Sequence, residues 1–216
     1  MAEIGVAFGT YSRQIVSLAA PARLHLIDLW RHQADAGYQT DLVNAGDAEQ
    51  ESRYRKVLAD FAAEIAVGTV EVTRADSIGA AARFEQGSLD WVYVDARHDY
   101  PSVLADLRAY APKIKANGFL LGHDFANHPQ ALKLGFGVIE AVRDFVAESG
   151  FSLLLLTNEA WPTYVLARMQ DNDNARLLVA KILHSLPACV EITEPFSRYQ
   201  QVARMIGDKP VVTPRF

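Results

Sequence analysis

Short unbroken apolar runs, spaced by amphipathic stretches, constrain this chain more than any other feature. Ile4–Phe8, Leu24–Ile27, Val70–Val72, Trp91–Val94 and Phe119–Leu121 are such runs. A run without polar alternation belongs to a strand covered on both faces. Between the runs lie helical stripes. One is formed by Tyr54, Val57, Leu58, Phe61 and Ile65, and a second by Val103, Leu104, Leu107, Ala111 and Ile114, closed by Lys115 to Gly118. A third, Val138, Ala141, Val142, Phe145 and Val146, ends at Gly150. Strand–helix alternation of this kind gives an α/β fold with a parallel sheet and right-handed crossovers. The runs Phe151–Leu156 and Thr163–Ala167 are separated only by Thr157–Pro162, too few residues for a helix. They are expected to pair antiparallel. The expectation is a mostly parallel seven-stranded sheet with helices on both faces and a terminal antiparallel hairpin.

At 216 residues, half of them hydrophobic and 22% charged, the chain has enough apolar surface for one well-buried domain. Residues 1–169 are expected to form that domain. Residues 170–216, with one helical stretch (Leu177, Leu178, Lys181, Ile182) and an irregular Pro-bearing end, are expected to pack on it as an extension. Residues 31–52 form a polar insertion without periodicity, the kind of segment that serves as a lid. The net charge of -5 argues against a nucleic-acid partner, whose surface usually shows a basic excess. No apolar run approaches a bilayer span, so no membrane partner is expected. Glu3 stands where a signal peptide carries basic residues, and the one cysteine, Cys189, offers neither a disulfide framework nor a thiolate metal cluster. A cytoplasmic protein is expected.

The first run leads into Glu3-Ile-Gly5-Val-Ala7-Phe-Gly9-Thr-Tyr-Ser12, a glycine loop that opens a helix. Glycines there permit a tight turn and close approach of backbone N–H groups to a ligand. Asp28 ends the second run, where a carboxylate in doubly wound folds accepts hydrogen bonds from ribose hydroxyls. A dinucleotide fingerprint needs a third glycine where Ser12 stands. The spacing of Glu3, Gly5, Ala7 and Gly9 instead resembles the E/D-x-G-x-G-x-G loop of class I S-adenosylmethionine-dependent methyltransferases, with Ala7 replacing the middle glycine. The resemblance implies a Rossmann-like fold and a loop that cradles the methionine part of the cofactor. Trp30 stands either beside the adenine or half-buried in the core. Asp76 and Ser77 follow the third run as a helix cap, and the resemblance puts an acidic residue there near the adenine amino group.

The fourth run enters Asp95-Ala-Arg97-His98-Asp99-Tyr100 and the fifth enters Gly122-His123-Asp124-Phe125. Carboxyl ends of parallel strands form the ligand crevice, so these groups converge there. Asp95 and Asp124 offer hard oxygen ligands for Mg²⁺ or Mn²⁺, and His98 can take a proton near neutral pH. Asp95-x-x-His98, then Val103-Leu104-x-Asp106-Leu107, then His123-Asp124, is similar to the metal-dependent small-molecule O-methyltransferases, the macrolide-sugar branch in particular. That resemblance spans Glu3 to about Arg168. It implies Asp95 and Asp124 as metal ligands, with Asp95 also at the cofactor, and His98 as the base that deprotonates an acceptor hydroxyl. His123 stands where relatives place an acidic ligand; it either ligates the metal or orients Asp124. The implied cofactor-binding set is Glu3, Gly5, Ala7, Gly9, Ser12, Asp28, Trp30, Asp76, Ser77 and Asp95.

Sugar hydroxyl, phenol and natural product all remain as acceptors. Tyr38, Trp161 and Tyr164 are candidates to line the acceptor pocket, and His128 reads as a surface histidine. The resembling family usually has residues before the first strand, so here an upstream segment, the insertions or a second subunit is expected to cap the site. The tail is a candidate homodimer contact. Two other readings are a metal-dependent hydrolase built on the Asp/His cluster and a cofactor-binding relative without catalysis.

Overall fold

Each apolar run but the first falls in a strand of one sheet, and the first meets its strand only at Ile4. The structure, a computed structural model, describes residues 1–35, 38, 41, 43–170, 172–185, 198–207 and 209–215. Cys189 and part of the polar insertion lie outside the described residues. The strands are β1 (Ala2–Ile4), β2 (Leu24–Asp28), β3 (Val70–Arg74), β4 (Leu89–Val94), β5 (Ile114–Gly122), β6 (Phe151–Leu156) and β7 (Tyr164–Arg168). Their order is β3-β2-β1-β4-β5-β7-β6. β1 to β5 pair in parallel, and β7 runs antiparallel to both β5 and β6. The chain winds outward from β1 to β3 and then crosses to β4, so the order reverses between β1 and β4. A crevice opens there at the carboxyl ends of the strands.

The helices are α1 (Thr10–Ala19), α2 (Asp47–Asp60), α3 (Ala62–Ala66), α4 (Ser77–Ala81), α5 (Tyr100–Tyr110), α6 (Pro129–Lys133), α7 (Val138–Ser149) and α8 (Asp173–Ser185). One core layer gathers Ile15, Leu26, Trp30, Val57 and Phe61 between the sheet and α1 and α2. The other gathers Ile4, Val92, Leu120, Leu107, Val142 and Phe145 between the sheet and α5 and α7. Both faces of the parallel strands are therefore covered, which is why their sequences do not alternate.

Several boundaries differ from those the sequence suggests. β1 ends at Ile4 because Gly5 takes φ +87° and turns the chain. The stripe Tyr54–Ile65 is two helices that meet at Phe61. Ile114 belongs to β5 rather than to α5: the helix stops at Tyr110, and a single 3₁₀ turn over Ala111–Lys113 contains Pro112, which has no N–H for a further helical bond. The polar insertion shortens, since α2 already starts at Asp47.

Residues 186–197 of the Pro-bearing end lie outside the described residues, but from Gln200 the described chain is regular. β8 (Gln200–Ile206) and β9 (Lys209–Arg215) form a separate antiparallel ribbon. Its base is tied to the loop after β5. Asn127 and Gln201 exchange hydrogen bonds: the Gln201 backbone N–H donates to Asn127 Oδ1 at 2.8 Å, and the Asn127 N–H donates to Gln201 Oε1 at 3.1 Å. Gln201 Nε2 also donates to the Ala160 carbonyl at 3.0 Å. Tyr199, buried, packs its ring 5.2 Å from that of Phe125.

Candidate active site

The crevice is a cleft of about 800 Å³. Its floor is the loop after β1. Gly5 passes so close to the end of β4 that a Cβ would lie 2.0 Å from the Asp95 carbonyl oxygen. Ala7 follows at φ +47°, a conformation that costs a residue with a Cβ about 1–2 kcal/mol. Two groups hold it there. Asp28 Oδ2 accepts the Val6 and Ala7 backbone N–H groups, each at 2.9 Å, and the Trp30 indole N–H donates to the Ala7 carbonyl at 3.0 Å. Asp28 Oδ1 accepts the Trp30 N–H at 2.7 Å. Asp28 thus braces the loop while lining the cleft, and its oxygens keep lone pairs for a further donor.

Glu3 is almost wholly buried beneath this loop yet reaches the cleft wall. Burial, reinforced by the charges of Asp95 and Asp28 and opposed by the Ser12 hydroxyl, pushes its carboxyl up to about 8. Its Oε2 is shielded from solvent and has no hydrogen-bond partner among the described residues. Asp76 and Ser77 line the opposite side. Asp76 caps α4, accepting the Gly79 N–H at 2.7 Å, so the cap role and the wall role coincide.

At the ends of β4 and β5, Asp95, His98 and Asp124 each present a donor atom, all within 4.8 Å of one another. His98 Nε2 lies 2.9 Å from Asp124 Oδ2 and 3.4 Å from Asp95 Oδ1. Asp124 holds its position at φ +60°. Burial opposes charge on His98, but Asp124, Asp41 and Asp95 outweigh it and hold the imidazole well above its usual value. His123 stands apart from this set: its Nδ1 is 3.3 Å from Asp124 Oδ1 and 4.0 Å from Asp95 Oδ1. Asp124 is buried, but its two histidines more than offset that and keep it below the usual carboxylate range.

One wall beyond the cluster is aromatic. Phe136 packs 4.5 Å from the His98 ring and Trp161 lies 5.3 Å from Phe136. Tyr38 stands over the Arg97 guanidinium at 4.9 Å.

Of the residues the sequence nominates, the structure brings Glu3, Gly5, Ala7, Asp28, Asp76, Ser77, Asp95, His98, His123 and Asp124 to the cleft, together with Tyr38 and Trp161. Four others sit elsewhere. Gly9 is a packing glycine: a Cβ there would press on Val57 and Phe61 at 3.2 and 3.1 Å. Ser12 is wholly buried in α1. Trp30 takes the core alternative, buried against Tyr54 at 5.1 Å, and reaches the loop only through its indole N–H. Tyr164 is core, packed between Phe125 and the Gly122 backbone. His128 is not a surface residue: it is buried, caps α6 by accepting the Ala131 N–H at 3.4 Å, and meets Trp161 edge-on. Asp41, Arg97 and Phe136 also line the cleft, and no motif in the sequence marks them as site residues. Only Asp41's place in the polar insertion hinted at its role.

A doubly wound sheet with a reversed terminal hairpin, a glycine loop braced by an acid at the end of β2, and acids after β4 and β5 define a class I methyltransferase. The sequence agrees. A family described as "Methyltransferase domain" matches residues 2–125, and the chain belongs to it. It is a methyltransferase that takes its methyl group from S-adenosylmethionine. A comparison with curated proteins finds no match. Among solved structures the chain is similar to a Corynebacterium glutamicum protein, at 12% identity and TM-score 0.53, over 80% of this chain and 73% of that one. It is similar to a Staphylococcus aureus protein provisionally assigned as a caffeoyl-CoA O-methyltransferase, at 14% identity and TM-score 0.53, over 77% and 74%. An O-methyltransferase family protein from Burkholderia thailandensis gives 14% identity and TM-score 0.53, over 79% of this chain and 51% of that one. At such identities the likeness is one of fold.

Proposed function

We propose that this methyltransferase acts on a hydroxyl group of a small molecule, with Mg²⁺ or Mn²⁺ held by Asp95 and Asp124. The observation that carries it is the set of Asp95, His98 and Asp124, gathered within 4.8 Å at the rim of the cofactor cleft. Two carboxylates facing one site are hard donors suited to such a cation. When bound, the cation acidifies the acceptor hydroxyl and shares the charge of the two aspartates.

The rest falls to the chain's own groups. Glu3, the backbone at Gly5 and Ala7, Asp28, Asp76, Ser77 and Asp95 bind the cofactor. The Glu3 carboxyl, buried and short of a partner, suits the cofactor's methionine ammonium. Phe136 and Trp161 hold the acceptor against the cluster and exclude water. His98 Nε2 takes the hydroxyl proton, a role that requires its neutral form, so sharing the charge of Asp95 and Asp124 also frees it to act. The displacement at the methyl carbon needs no enzyme nucleophile, only alignment. Residues 1–169 carry all these groups, and the tail docks on them.

The test combines calorimetry with S-adenosylhomocysteine, with and without Mg²⁺, and a labelled-methyl screen over phenols and sugars. S-adenosylhomocysteine should bind at micromolar strength. His98→Ala should lower transfer by about 10²-fold or more while leaving that affinity within about twofold. Transfer at the wild-type rate by His98→Ala would remove His98 as the base. Transfer indifferent to chelation would remove the metal.

A further inference from the structure

We propose that Asp41 is a positioning residue that fixes the His98 ring from the side opposite the cluster. The inference rests on His98 as the base. Asp41 comes from the polar insertion, far in sequence from Asp95, His98 and Asp124. Its Oδ2 lies 3.6 Å from His98 Nδ1. That nitrogen is shielded from solvent and, among the described residues, has no partner at hydrogen-bond length. A buried N–H left unpaired is costly, so the two groups gain by closing the gap to hydrogen-bond length.

Asp41 is set up to receive it. Its Oδ1 accepts the Val43 N–H at 2.9 Å, which leaves Oδ2 toward the ring. The insertion is anchored on both sides of Asp41. The Val43 carbonyl accepts from Arg53 Nη1 at 2.7 Å and from Gln50 Nε2 at 2.8 Å. Arg97, the neighbour of His98, donates to Asp35 Oδ2 at 3.2 Å and stacks on Tyr38. The insertion therefore lands on the two residues that carry the base.

The consequence is chemical. With Nδ1–H donated to Asp41, the neutral imidazole keeps its lone pair on Nε2, the nitrogen that faces Asp95 and Asp124. A histidine whose second nitrogen is tied to a carboxylate has one tautomer and one ring orientation. Phe136 against the ring face limits tilt but cannot choose the tautomer. Asp41 can. Asp41 thus ties the base to the insertion.

The test is imidazole NMR of the full chain labelled with ¹⁵N-histidine, with S-adenosylhomocysteine and without it, the His98 signals being assigned by their loss in His98→Gln. The wild type should show a downfield, slowly exchanging His98 Hδ1. In Asp41→Asn it should move upfield and exchange about tenfold faster, in Asp41→Ala it should vanish, and Asp41→Glu should restore part of the protection. On the labelled-methyl assay, Asp41→Asn should lower kcat about tenfold with KM for the cofactor unchanged, whereas a merely structural segment would raise KM. A His98 Hδ1 equally protected in wild type and Asp41→Ala overturns the proposal, as does its absence from the wild type. Failure of S-adenosylhomocysteine to bind would strike the methyl-transfer reading instead, and the ligand-free spectra would still decide Asp41.

Discussion

Gly5 is where a single missing Cβ determines whether the crevice exists. The loop crosses the end of β4 at a distance no side chain tolerates, and φ +87° is a second bar to any L residue. Gly5→Ala is expected to cost about 3 kcal/mol or more in urea denaturation and to abolish S-adenosylhomocysteine binding, because the loop must retreat from Asp95. A variant that unfolds and binds like the wild type would refute this. Ala7 is the opposite case: a side chain where strain is carried, held by Asp28 and Trp30. The sequence marks Asp28 and Trp30 by position, and position alone suggests a ribose and an adenine. Their partners are backbone groups of the loop, which residue identity does not reveal. The acids and histidines after β4 and β5 were legible because strand ends converge by topology. Asp41 was not, since a loop's path over a cleft has no periodicity to read.

Among the elements, the parallel strands and the reversed hairpin were legible from run length and spacing, and the boundaries were not. Pro112 lies inside a stripe that continues to look helical, so the change from α5 to β5 is a local backbone matter that the stripe conceals. The ribbon β8–β9 was hidden for a related reason: β9 contains Pro210 and Pro214, which argue against a strand unless it has no further neighbour to pair with. Among the described residues β9 pairs only with β8, so the prolines are tolerated. An isolated two-stranded ribbon is marginal in water. The bonds of Gln201 to Asn127 and Ala160, beside the Tyr199 packing, thus help join it to the domain. Gln201→Ala removes one acceptor and one donor at once and strands the Asn127 N–H and the Ala160 carbonyl. Hydrogen exchange should show loss of protection in the ribbon and at Asn127, equivalent to about 1–3 kcal/mol, with β1 to β5 unchanged. Unaltered exchange at Asn127 would show the lock to be idle.

For the whole molecule, the crevice that topology opens is lined by carboxyl groups that folding must bury before a ligand arrives. Burial is the leading cause in two of them, raising Glu3 from 4.5 to about 8 and Asp106 from 3.8 to about 6. Each keeps its proton when folded over a range where the unfolded chain has released it. The unfolded state then binds fewer protons, and stability must fall as pH rises, through about 4 to 6 for Asp106 and through about 4.5 to 8 for Glu3. Ligand-free protein should therefore melt at a lower temperature at pH 8 than at pH 5. Glu3→Gln cannot ionise, so its melting temperature should decline less across that range and should exceed the wild type's at pH 8. The cofactor reverses the situation if its ammonium meets Glu3, because binding then favours the carboxylate. Calorimetry at pH 6.5 in buffers of different ionisation enthalpy should show close to one proton released per S-adenosylhomocysteine bound, and none in Glu3→Gln. A wild type that binds without proton release would place the ammonium elsewhere, and a Glu3→Gln variant that is no more stable at pH 8 would mean that Glu3 ionises in the folded protein as freely as in the unfolded one.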